Sequence, residues 1–119
     1  MDEIIKDFVL MKEKATDIQN VILNADTSLS TIKKGKGKNY LLKLKRTEYS
    51  KEHYYFIGRS DNLEIEVLSE EDYNNYLADD FYMREVFEEV VDDINKIIDA
   101  YIDRIEKEIF LRQILLDGA

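Results

Sequence analysis

Residues 39–68, NYLLKLKRTEYSKEHYYFIGRSDNLEIEVL, decide the fold, because here the spacing of apolar residues changes from the helical period to two. Tyr40, Leu42 and Leu44 alternate with Leu41, Lys43 and Lys45, the pattern of a half-buried strand with a basic outer face. A polar stretch over 47–52 separates it from a second strand, His53 to Ser60, rich in aromatics and carrying Gly58 as a candidate bulge. Ser60, Asp61 and Asn62 supply turn chemistry, and Leu63, Ile65 and Val67 then alternate with Glu64 and Glu66 in a third strand. Connections this short leave no room for a crossover, so the three strands form an antiparallel meander.

On either side the period is helical. Ile4, Phe8, Met11, Ala15, Ile18 and Ile22 recur in steps of four and three, one stripe of an amphipathic helix over 1–24, with Asp2 and Glu3 where the helix dipole favours negative charge. Residues 25–38 lack periodicity and carry Gly35 and Gly37, which reads as a flexible basic loop. Ser69 followed by Glu70, Glu71 and Asp72 is a helix start, and a short helix through Leu77 follows. With Asp79 or Asp80 as cap, a long helix runs from Phe81 to about Leu116, with Gly118 as terminator. At about 1.5 Å per residue it would reach roughly 50 Å, so it is kinked or projects. The expectation is a single α+β domain over 1–119: an N-terminal helix, a three-stranded meander over 39–68, then a short and a long helix over 69–118, with the helices on one sheet face.

Of the 119 residues, 45% are apolar and 36% charged, patterned well enough to fold without staples. Cysteine is absent, which excludes disulfides, thiol nucleophiles and cysteine-ligated metals. Charges interrupt every apolar run of MDEIIKDFVLMKEK, so neither a secretory signal nor a membrane span is expected, and a cytoplasmic protein is.

The net charge of -9 is unevenly spread. Residues 1–32 hold six acids and three bases, 33–59 two acids and nine bases, and 60–119 eighteen acids and five bases. Either the two halves neutralise one another or they face different partners. Within the long helix, Glu85, Glu89, Asp92, Lys96, Asp99, Asp103 and Glu106 step by three or four, one acidic face with a single lysine. This is either an ordinary solvated face or a surface that imitates a phosphate row and occupies the basic site of a partner protein. Tyr73, Tyr76 and Tyr82 stand among acids at the helix junction, as a recognition patch or as core filling.

Lys33, Lys34, Lys36, Lys38, Lys43, Lys45 and Arg46, beside Tyr40, Tyr49, Tyr54, Tyr55 and Phe56, suit a nucleic-acid strand, which needs charge neutralisation and stacking. The alternative is that these lysines face the chain's own acidic helices. The glycines precede a strand without the GxxxxGK[ST] spacing, which excludes a nucleotide loop. Glu88, Glu89, Asp92 and Asp93 pair at helical spacing but no Glu-x-x-His accompanies them, and Glu85 and Glu88 match only half of a helical Glu-x-x-Glu magnesium site. No cofactor or metal is expected, and a small metal-dependent hydrolase is the third reading. His53 has no group to orient it against Ser50 or Ser60, and Asp61, Glu64 and Glu66 lack the lysine of a nuclease strand. Ile109, Phe110, Leu111, Ile114, Leu115 and Leu116 cover more than one helix face, so the tail closes the core or packs on a second chain through Ile109, Phe110, Ile114 and Leu115.

By type, though by no residue motif, a small, acidic, cysteine-free chain rich in Asn, Lys and Tyr resembles phage-encoded inhibitors of host nucleic-acid machinery, anti-CRISPR proteins among them. That resemblance implies a non-enzymatic binder acting in a bacterial host cytoplasm.

Overall fold

Two periods of apolar residues, two along strands and near 3.6 along helices, generate an α+β architecture whose single sheet is sandwiched between unequal helical layers. The computed structural model describes residues 2–59, 63–79, 81 and 83–118. Chain order is α1 (Glu3–Asn24), β1 (Thr31–Lys34), β2 (Lys38–Leu44), β3 (His53–Arg59), β4 (Leu63–Leu68), α2 (Glu70–Ala78), β5 (Met83–Glu85) and α3 (Phe87–Asp117). The meander is present as β2, β3 and β4, antiparallel throughout. Two further strands extend it, giving the order β4-β3-β2-β1-β5 in a five-stranded sheet where three were expected.

Both added strands correct a sequence expectation. The supposed flexible loop holds β1, which pairs with β2 from Thr31↔Lys43 to Lys34↔Tyr40. Gly35 N donates to Asn39 O at 2.9 Å, and Gly37 turns the chain at φ 72, a left-handed conformation that costs glycine nothing. Upstream, Asp26 organises the approach by accepting from Ser28 N and Oγ, and these bonds lower its pKa. The hydroxyl of Ser30 bridges the backbone of Lys45, accepting from N at 3.0 Å and donating to O at 3.2 Å.

The second correction concerns the long helix. It begins at Phe87 instead of near Phe81, because Met83–Glu85 pairs with β1 as an edge strand. Asp79 ends α2 as its C-cap and does not open the next helix. Phe81 is buried edge-on against Phe56 and Tyr76, which pins the chain to the sheet before α3 can start. Gly35 makes this possible, since a Cβ there would stand 2.7 Å from Phe81 Cε1. The cap proposed at Ser69 forms, accepting from Asp72 N, and Asp2, expected in the first turn of α1, stands just before it as the N-cap and accepts from Ile4 N. Register runs unbroken through Gly58, so no bulge occurs there. The turn proposed at Ser60, Asp61 and Asn62, and the alternative cap Asp80, lie outside the described residues.

Helices cover both faces, not one. Ile32, Tyr40, Leu42, Leu44, Tyr55 and Ile57 point to one side and pack with Ile18 and Ile22 of α1 and Val90, Ile94, Ile97 and Ile98 of α3. Leu41, Phe56 and Leu68 point to the other side and meet Tyr73 of α2 and Phe81. The outer face of β2 is therefore basic only at Lys43, since Leu41 is fully buried.

α1 and α3 pack antiparallel. Gln19 Nε2 donates to Asp99 Oδ1 at 2.7 Å, and seven residues earlier on α1 and later on α3 Lys12 Nζ meets Glu106 Oε1 at 2.9 Å. Five strands about 4.8 Å apart span only about 20 Å, whereas the 31 residues of α3 extend about 46 Å. The helix pair therefore overruns the sheet. The radius of gyration is 15.9 Å, against about 13.5 Å for a compact chain of this length.

Candidate protein-interaction surface

The outer side of α3 is polar over its first half because its opposite side is committed to the sheet through Val90, Ile94, Ile97 and Ile98. Glu89, Asp92, Lys96, Asp99 and Asp103 then fall on one exposed stripe. From Glu89 to Asp103 this ridge runs about 21 Å. Its carboxylates stand about 7 Å apart on average, compared with about 3.4 Å per phosphate along one DNA strand. The ridge is thus a phosphate row at about half density, interrupted by Lys96.

Glu85 belongs elsewhere. It sits on β5 opposite Ile32, half-buried beside Tyr40, whose pKa is raised by burial and then by the charges of Asp93 and Glu85. Asp99 is steadied by Gln19, and Glu106 is the ridge carboxylate paired with a lysine, Lys12 of α1. Beside the ridge, an open groove of about 560 Å³ runs between α1 and α3, lined by Gln19, Asn20, Leu23, Val91, Asn95 and Asp99 among others. Sequence reading missed this groove. Its one signal was Leu23, an apolar residue off the α1 stripe and largely exposed.

The basic residues divide between the two sides of the sheet, with Lys34 and Lys38 alternating in step with Ile32 and Tyr40 on the side that α1 and α3 cover. Lys33 and Lys43 alternate away from Ile32 and Leu42, and Lys33 is directly opposite Arg84 of β5. Lys43 reaches Glu52 at 3.9 Å. Among the described residues, Lys33, Lys34, Lys36, Lys38, Lys45 and Arg46 form no ion pair with a carboxylate, so the sheet lysines do not neutralise the α3 ridge. Lys33, Lys43 and Arg84 thus lie across the sheet from the ridge.

Most aromatics are committed to packing. Tyr40, Tyr55 and Phe56 are buried, while Tyr49 is 94% exposed. Tyr73, 4% exposed, packs its ring 4.9 Å from Tyr54 and belongs to the core under α2, not to an open recognition patch. Tyr76 stacks on Phe56 and donates to Glu66 Oε2 at 2.9 Å; burial first, then that bond, push its phenol up to about 12. Tyr82 lies outside the described residues. Tyr54 donates to Glu52, which raises the phenol's pKa and lowers the carboxyl's.

His53 stacks alongside Tyr55 on the rim of an open depression lined by Glu52, Tyr54, Val67 and Ser69. Ser50 Oγ is engaged in its own turn, accepting from Arg46 N and Thr47 N and donating to Thr47 O. Among the described residues, no three His, Asp or Glu side chains converge as metal ligands would, Glu88, Glu89, Asp92 and Asp93 included. No helix among them is long and apolar enough to cross a membrane. Set against known protein families, curated proteins and solved structures, the chain matches none.

Proposed function

We propose that the chain is a protein-binding module that occupies a basic site on a partner protein through the α3 ridge of Glu89, Asp92, Asp99 and Asp103. The observation that carries this reading is the separation of charge. Four exposed carboxylates share a stripe that holds Lys96 as its one cation and that the sheet lysines do not reach, while Lys33, Lys43 and Arg84 sit across the sheet. Fields of one sign on one face steer encounter with an oppositely charged surface and suppress like-charged partners. The groove beside Asp92 and Asp99 supports specificity, since it admits an apolar side chain or the aliphatic stem of an arginine next to two carboxylates. A nucleic-acid-processing protein, rich in cationic sites, is the target class, and occupation of such a site is inhibitory by exclusion. At half the charge density of a DNA strand, the ridge engages a few cationic side chains and does not replace a duplex.

The test is a pull-down from a lysate of the native host, comparing the wild-type chain with the triple variant Glu89→Lys, Asp92→Lys, Asp99→Lys. The wild type retains a partner at low salt, and the variant loses it while keeping its circular dichroism spectrum. Equal retention by both would remove the ridge from the mechanism.

A second reading rests on the Lys33–Arg84 neighbours. Like charges directly opposite in a sheet are destabilising, yet here they persist beside Lys43 on an open part of the face. Contact with phosphates would offset that repulsion. A gel shift whose affinity falls steeply with salt supports it, and the absence of any shift at low salt removes it.

A further inference from the structure

We infer that the projecting end of the α1–α3 pair is a homodimer interface, on which a second copy of this chain packs antiparallel to form a four-helix bundle. The stripe of α1 that is buried at Ala15, Ile18 and Ile22 continues through Met11 and Ile4, where exposure rises to 41% at Ile4. On α3, burial ends at Ile105, and Phe110, Leu111, Ile114 and Leu115 then open one face, with Phe110 63% and Leu115 69% exposed. The antiparallel register fixed by Lys12 and Glu106 puts these two uncovered stretches side by side.

Area argues for a large, ordered contact. With about 200 Å² for a fully exposed large apolar side chain, the four α3 residues present roughly 470 Å² of apolar surface, a little over half of the roughly 800 Å² that each partner of a stable interface buries, which is the usual apolar share. A monomer's largest apolar patch is usually about 300–600 Å².

Charge selects the occupant. The chain carries -9 overall, but the projecting segments, 2–14 and 104–117, hold seven acids against six bases. Two copies therefore meet where their repulsion is least. Orientation follows from the same reasoning: a parallel pairing would lay Asp99 and Asp103 of one ridge against those of the other. An antiparallel crossing centred between Phe110 and Leu111 sends the ridges to opposite ends and sets Arg104 opposite the second copy's Asp117, with Phe110 against its Leu111. Such a two-fold contact is self-complementary, as closed dimers require.

Light scattering during size-exclusion chromatography of the full chain at about 100 µM should give twice the chain mass, because interfaces of this size bind at micromolar or tighter. Phe110→Asp and, separately, Leu115→Glu should return the single-chain mass with unchanged circular dichroism, since both positions are exposed in the isolated chain. Arg104→Glu should weaken the dimer at least tenfold, and Arg104→Glu combined with Asp117→Arg should restore it. A wild-type monomer at that concentration would overturn the inference and leave the face to a different occupant. So would a higher oligomer, a dimer that survives both apolar substitutions, or a charge swap without rescue.

Discussion

The same two helices behave differently at their two ends. Over the sheet, Ala15, Ile18 and Ile22 of α1 and Ile94, Ile97 and Ile98 of α3 are buried. Past the sheet, Ile4 and Met11 and then Phe110, Ile114 and Leu115, apolar at similar spacing, stand open. On α1 the difference lies in what each half of one stripe meets; on α3 the outer stripe itself changes, from Glu89, Asp92, Asp99 and Asp103 to Phe110 and Ile114. Periodicity states which residues form a stripe; only topology states which part of the stripe finds a cover.

The largest way to sharpen this contrast is a pair of truncations. Ile98→Ala, at a fully buried site facing the sheet, should cost about 2–5 kcal/mol in chemical denaturation through lost transfer energy and a cavity. Ile114→Ala on the open end should stay within about 0.5 kcal/mol when measured dilute enough to dissociate any dimer. Comparable losses would mean that the end is packed in the monomer.

A smaller effect comes from the sheet's other face. Gly35→Ala drives a Cβ to 2.7 Å from Phe81 Cε1, and such overpacking should cost about 1–3 kcal/mol. Hydrogen exchange should show the loss over β1, β5 and the sheet-covered half of the helices, with the projecting ends unchanged. A neutral substitution would show that Phe81 does not pin β5.

Alkaline pH separates the halves next. Burial raises the pKa of Tyr55, Tyr73 and Tyr101, and Tyr76 is pushed up to about 12; none of them lies in the projecting segments. A phenol whose folded pKa is raised favours folding while it is neutral. That stability is fully present below the unfolded value near 10 and is lost as pH rises from about 10 towards 12. The urea midpoint should therefore fall above about pH 10, alongside additional tyrosinate absorbance when the buried phenols are released by unfolding. A midpoint unchanged to about pH 11 would contradict this burial. Least of all, Lys12→Ala removes an exposed ion pair at the boundary between the halves and should cost at most about 0.5 kcal/mol, measured as a small shift of the urea midpoint.

Much of the fold was legible before any coordinates. The α1 stripe, the β2–β4 meander, the Ser69 cap and the overlong last helix follow from spacing and turn chemistry. β1 and β5 were not legible, because Thr31–Lys34 offers one buried residue, Ile32, and Met83–Glu85 is three residues long. Neither completes enough alternation to stand out from a loop or a helix start. The second core had a signal that half-buried strand logic passed over: Tyr54, Tyr55, Phe56 and Ile57 are apolar in succession, which marks a strand covered on both faces. Of the candidate surface, the exposed stripe of Glu89, Asp92, Asp99 and Asp103 was readable from helical spacing alone. That Glu85 leaves the stripe and Tyr73 enters the core depended on β5 and α2 docking, which no local pattern encodes.

The most direct test sets the two charged faces against each other in one binding assay. The partner retained from a native-host lysate is quantified for the wild type, for the α3 reversal of Glu89, Asp92 and Asp99 to Lys, and for Lys33→Glu with Arg84→Glu. The account predicts that only the α3 reversal abolishes retention. Loss of the partner in the sheet variant, with the α3 variant binding as the wild type does, would contradict it.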